Sequence, residues 1–134
     1  MEIHDLGHLI KRLQHRHHRT ADARLIEVGT TLAQWDALRA IGRCPGASAH
    51  QLAVMTFQTD QSFGQLANRL ISADLIERKA GHGRSFEHVL TQKGQATLER
   101  GSEVTRMMLQ KSFSALDAQE QATLYALLMK IIDV

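Results

Sequence analysis

The chain is 134 residues long, 43% hydrophobic and 4% aromatic, which fits one compact domain with an aliphatic core and argues against disorder. No apolar run approaches the roughly 20 residues that span a bilayer, the charged, histidine-bearing first eleven residues do not read as a signal peptide, and the lone Cys44 cannot form an internal disulfide. A formal net charge of +2 is too small to argue for nucleic acid by itself, but residues 61–73 and 78–93 carry more Lys and Arg than Asp and Glu, so one face can be basic.

Taken in chain order, residues 5–28 read as a helix, because Leu6, Leu9, Ile10, Leu13, Ala21, Leu25 and Val28 recur at helical spacing. No partner for this stripe lies close in sequence, so another element or subunit must cover it. A second helix starts near Thr31. Thr31 and Gln34 have capping-box spacing, Trp35, Leu38 and Ile41 form one buried face, and Cys44-Pro45-Gly46 stops it. Ser48 is the expected N-cap of a short third helix, about 48–56, with Leu52, Ala53 and Met55 facing inward. After Thr56-Phe57-Gln58, Thr59 caps a fourth helix. Its apolar face is Phe63, Leu66, Ala67, Leu70 and Ile71; its polar face is Gln61, Ser62, Gln65, Asn68 and Arg69. Two strands, 75–78 and 86–90, flank a connector whose Gly81 and Gly83 permit the positive φ of a hairpin. Thr91 caps a long helix, about 92–115. Asp117 caps the last, about 118–132, with Leu124, Leu127, Leu128, Ile131 and Ile132 as its stripe. The expected fold is mainly α, in the order α-α-α-α-β-β-α-α.

Two short helices joined by a tight turn, the second polar outward and followed by a hairpin, make a winged helix-turn-helix. Such a helix offers amides, hydroxyls and guanidinium groups to base edges in the major groove, while helix N-termini and basic residues take phosphates. The expected DNA contacts are Ser48, Thr59, Gln61, Ser62, Gln65, Asn68, Arg69, His82 and Arg84. The competing reading of each is a solvated surface residue.

Three segments, residues 31–41, 52–70 followed by 74–78, and 84–94, resemble the MarR (multiple antibiotic resistance regulator) family of transcription factors, and with the flanking helices the likeness covers nearly the whole chain. The resemblance implies a dimerisation lobe built from residues 5–28 and 92–134, around a DNA-binding module at 31–91. It implies a homodimeric repressor of a pseudo-palindromic operator, released by a small aromatic or anionic effector or by oxidation. The chain departs from the family pattern at Phe57, where the turn usually has a small residue, at Gly64 inside the recognition helix, and at Asp74 in place of a common glycine. It departs again at His82, where an aspartate usually supports the wing arginine.

Candidate effector contacts are His8, Trp35 and Met107, with Met108 beside them, though such residues at helical spacing also serve as core. His4 with His8 and His15 with His18 sit one turn apart, but no further ligands complete a metal set. Cys44 beside Arg43 is a weak redox candidate, since family members that sense peroxide carry the cysteine in the first helix. No enzyme motif appears, and neither cofactor nor metal is expected. The alternatives to a DNA-binding regulator are a non-enzymatic protein-interaction module on the same fold, or a metal- or redox-responsive sensor. The expected location is the cytoplasm, with no membrane association.

Overall fold

The computed structural model describes residues 1–81, 83 and 86–133. Its elements are α1 (Ile3–Glu27), α2 (Leu32–Arg43), α3 (Ala49–Met55), α4 (Asp60–Ser72), β1 (Ile76–Ala80), β2 (Phe86–Leu90), α5 (Gln92–Phe113) and α6 (Ala118–Ile132). The order is the expected one. Most starts are set by a side chain that satisfies a free N–H of the first turn. Thr31, Ser48, Thr59, Thr91 and Asp117 each accept from the backbone N–H three residues on. Gln34, Gln51 and Glu120 reach back to complete capping boxes on α2, α3 and α6.

Three helices end on the same hydrogen-bond pattern. After α1, Gly29 N–H donates to Ile26 C=O and Thr30 N–H to Leu25 C=O; after α3, Phe57 donates to Val54 and Gln58 to Ala53; after α4, Asp74 donates to Ile71 and Leu75 to Leu70. This is the Schellman arrangement, and it forces its central residue into the left-handed region. Glycine fills that position after α1, but Phe57 (φ 58°) and Asp74 (φ 60°) fill the other two. A side chain there costs roughly 1–2 kcal/mol.

β1 and β2 pair antiparallel, with Ile76 opposite Leu90 and Ala80 opposite Phe86. The ladder carries β1 two residues beyond the expected end at Arg78, because Lys79 and Ala80 pair with Glu87 and Phe86 although their own alternation has faded. The main core joins α2, α3, α4 and the base of the wing. Phe63, Leu38, Leu52, Leu70 and Ile76 are each less than 2% exposed there, each burial contributing roughly 1.5–3 kcal/mol. Met55 does not join them. It is 41% exposed, because α3 ends at that residue and its last turn points past the core rather than into it.

α5 docks through two glycines. A Cβ at Gly94 would lie 1.9 Å from the Leu75 carbonyl oxygen, and one at Gly101 would lie 2.4 Å from Trp35 Cδ1. Trp35 Nε1–H is in turn shared between Leu98 C=O (3.3 Å) and Ser102 Oγ (3.2 Å) on α5. The terminal helices behave differently. No residue of α6 is buried, and Leu6, Leu9, Ile10 and Leu13 of α1, with Leu127, Leu128, Ile131 and Ile132 of α6, stay between 37% and 71% exposed. The α1 stripe is the one that the sequence leaves without a partner close by, and a single chain covers neither it nor the α6 stripe.

Candidate nucleic-acid interface and effector cavity

α4 is divided lengthwise. Phe63, Leu66, Ala67 and Leu70 are buried, whereas Gln61, Ser62, Gln65, Asn68 and Arg69 are all exposed. Residues 61, 65 and 68 follow one another at one-turn spacing, so their side chains form one row. Gly64 lies beside that row, and a Cβ there would meet no atom of the described residues within 4 Å. Phe63 is the anchor beneath it, 1% exposed. Thr59 Oγ1 accepts from Ser62 N–H at 3.0 Å and Ser48 Oγ from Gln51 N–H at 3.1 Å, so both hydroxyls keep their own proton free to donate outward.

The wing is tied to this row by a residue that sequence reading does not single out. Arg78 Nη2 donates to Asn68 Oδ1 at 3.0 Å, and its guanidinium sits 5.8 Å from the centre of the Phe86 ring. Asn68 therefore has its amide N–H₂ left for a base edge, with the carbonyl end already engaged. Across α3 and α4, His50 Nδ1 and Asp60 Oδ1 lie 2.8 Å apart, both largely exposed. His82 and Arg84, the expected wing contacts, lie outside the described residues.

His88, on β2, is 7% exposed and faces the Phe63 ring edge-on at 6.1 Å. Its Nδ1 has no hydrogen-bond partner among the described residues. Burial, and then the charge of Arg78, hold its pKa below the ordinary histidine value.

A second concavity, about 540 Å³, opens between α1, α2, α5 and α6. Trp35, Asp36, Arg39, His17, Met108 and Phe57 are among its walls. The Arg39 guanidinium carbon sits 5.5 Å from the Trp35 ring centre. Asp36 is the one lining carboxylate; burial raises its pKa, against the pull of Arg39 and His18. His17 Nε2 and Ser112 Oγ share a hydrogen bond at 2.6 Å, and the His17 ring meets Phe113 edge-on at 5.3 Å. Burial, and then Arg16, lower the His17 pKa. The chamber thus combines apolar walls with the Arg39 guanidinium, a combination suited to a planar anion.

Of the expected effector contacts, Trp35 lines this cavity. Met107 is 59% exposed and does not; Met108, one position on, does. His8 lies instead on the outward face of α1, along a shallow groove with Lys11, Arg12, Arg16 and Arg19. Cys44 is half-buried at the end of α2. Among the described residues no three metal-ligating side chains gather.

The chain matches the MarR family over residues 28–85. It is 29% identical over 128 residues to the HTH-type transcriptional repressor Rv2887 of Mycobacterium tuberculosis, covering 94% of this chain and 92% of that protein. The crystal structure of Rv2887 in complex with p-aminosalicylic acid superposes with a TM-score of 0.80 at 28% identity, covering 94% of this chain and 97% of that one. A cysteine-to-serine mutant of MarR from E. coli, complexed with operator DNA, superposes with a TM-score of 0.85 at 25% identity, covering 95% and 93%.

Proposed function

We propose that the chain is a MarR-family protein, given its match over residues 28–85 and its likeness to Rv2887 and to MarR, and that it is a homodimeric, sequence-specific DNA-binding repressor released by a small aromatic acid. The observation that carries this reading is the division of α4: a fully buried Phe63 and Leu70 on one side, an unbroken exposed row of amide, hydroxyl and guanidinium groups on the other.

In the major groove, Gln65 pairs bidentately with adenine and Arg69 with guanine, each contact contributing about 1–3 kcal/mol of discrimination. Ser48 and Thr59, at the starts of α3 and α4, donate to phosphates and set the register. Arg78, Arg84 and His82 belong to the wing, which follows the backbone beside the groove. The uncovered stripes of α1 and α6 support a two-fold pairing of chains. That pairing puts two α4 helices in successive major grooves, about 34–36 Å apart.

The cavity beside Trp35 is the effector site. The likeness of the whole chain to Rv2887, solved in complex with p-aminosalicylic acid, supports an aromatic carboxylate as ligand, with Arg39 taking the carboxylate, Trp35 the ring, and Asp36 a donor on the ring. The ligand acts by binding more tightly to a dimer whose α4 helices no longer match the groove spacing. We place the protein in the cytoplasm with its DNA; no described helix is long and apolar enough to cross a membrane.

A gel shift with the DNA beside its own gene tests the reading. A complex that survives excess random DNA and dissociates with salicylate is expected. Equal binding to native and random DNA would leave a protein-interaction module as the better account.

A further inference from the structure

Phe57 occupies a position that the backbone alone would give to glycine. Its N–H and that of Gln58 close α3 on Val54 and Ala53, which holds φ at 58°, yet its ring is 97% exposed. The fold takes almost no burial from this side chain in return for the strain. The ring is nevertheless placed, because Phe57 lies at the rim of the cavity that contains Trp35, Asp36 and Arg39. Strained residues persist where surroundings over-determine them and cluster at ligand clamps and switches.

We propose that Phe57 is the contact through which the recognition helix senses a ligand in the Trp35 cavity: its ring closes on the face of a bound aromatic carboxylate, and the turn moves with it. The proposal rests on the effector reading given above and adds the residue that couples the cavity to α4. The connection is short. Thr59, two residues beyond Phe57, caps α4 by accepting from Ser62 N–H, and Gln61 and Ser62, in the first turn of α4, belong to the DNA-facing row. Where contact with a ligand draws the Phe57 backbone along with its ring, the N-terminus of α4 moves with it, because only Gln58 separates Phe57 from the Thr59 cap.

The chemistry of the site defines what the ring meets. Arg39 lies over Trp35 and makes no ion pair among the described residues, so its guanidinium is available to a carboxylate. Asp36, the lining carboxylate, accepts from a hydroxyl or amino group on the same ring. A flat ring held by these groups presents a face toward the rim, where Phe57 supplies an aromatic surface of matching size.

The test uses the full-length protein, its operator and sodium salicylate as probe. Trp35, the single tryptophan, reports binding by fluorescence, and anisotropy of labelled operator reports release. Phe57→Ala and Phe57→Gly are expected to bind operator without salicylate as the natural protein does. Their salicylate affinity should fall at least tenfold, and the concentration needed to release DNA should rise in step. Phe57→Leu should recover part of both. Phe57→Gly fits the left-handed turn better than phenylalanine, so a loss of response in that variant is a loss of the ring and not of the turn. Unchanged salicylate binding and release in Phe57→Ala and Phe57→Gly would overturn the role of Phe57 and leave the effector site standing. A natural protein that shows neither a fluorescence change nor release, with salicylate or with benzoate, would overturn both.

Discussion

Gly94 and Gly64 offer a matched test of how the DNA-reading module is assembled. Both are helical and both would gain helix propensity as alanine, by up to about 1 kcal/mol in a helix interior. Their surroundings are opposite. A Cβ at Gly64 meets no atom of the described residues within 4 Å, while one at Gly94 would lie 1.9 Å from the Leu75 carbonyl oxygen and 2.9 Å from its carbon. Backbone cannot swing aside as a side chain can, so α5 must lift from Leu75, just before β1. Overpacking of this kind costs about 3 kcal/mol, well above the propensity gain in a first turn. Gly94→Ala should therefore lose about 2 kcal/mol net and Gly64→Ala gain about 1 kcal/mol. For a chain of this length each kcal/mol moves Tm by about 3–4 °C, so the two variants should melt about 10 °C apart, on either side of the natural protein. The assay is calorimetry at one fixed protein concentration, since dimerisation makes Tm concentration-dependent. A Gly94→Ala protein that melts with or above Gly64→Ala would refute the close docking of α5 on the Leu75 backbone.

Two further outcomes follow from the same geometry. His88 is held neutral by burial, so the unfolded chain takes up its proton first as pH falls below about 6.5; the associated stability is present above that pH and is lost as pH drops toward the lowered folded value. Melting at pH 7.5 and 5.5 should show a larger acid loss in the natural protein than in His88→Phe, and parallel losses would contradict the buried neutral ring. Leu9→Asp or Leu128→Asp places a charge on an uncovered apolar stripe; sedimentation should show a folded monomer with operator affinity reduced at least tenfold, and an intact dimer would move the interface elsewhere.

The helices were legible because their signals are local. Thr31 with Gln34, and Ser48, Thr59, Thr91 and Asp117, are caps in the structure as in the sequence pattern, and spacing separates the buried from the exposed face of α4. What was not legible depends on chains of contact between distant residues. Arg78 reads as an ordinary solvent-facing strand residue until Asn68 is found ten positions away in sequence and 3.0 Å away in space. His88 looks like surface alternation, yet it lies against Phe63. Phe57 has no preference for a left-handed backbone; the carbonyls of α3 impose it. Met107 and Met108 differ by one residue, but one residue is about 100° of helical phase, and that rotation decides which of them faces the cavity. Met55 fails for a related reason, since periodicity predicts a face only while the helix continues.

The most direct measurement is the affinity of the natural protein and of Gln65→Ala for the native operator and for operators altered one base pair at a time. The account predicts one position in each half-site where the natural protein loses about 5- to 100-fold and Gln65→Ala loses nothing further. If Gln65→Ala weakens native, altered and random DNA by the same factor, the exposed row of α4 holds DNA without reading it.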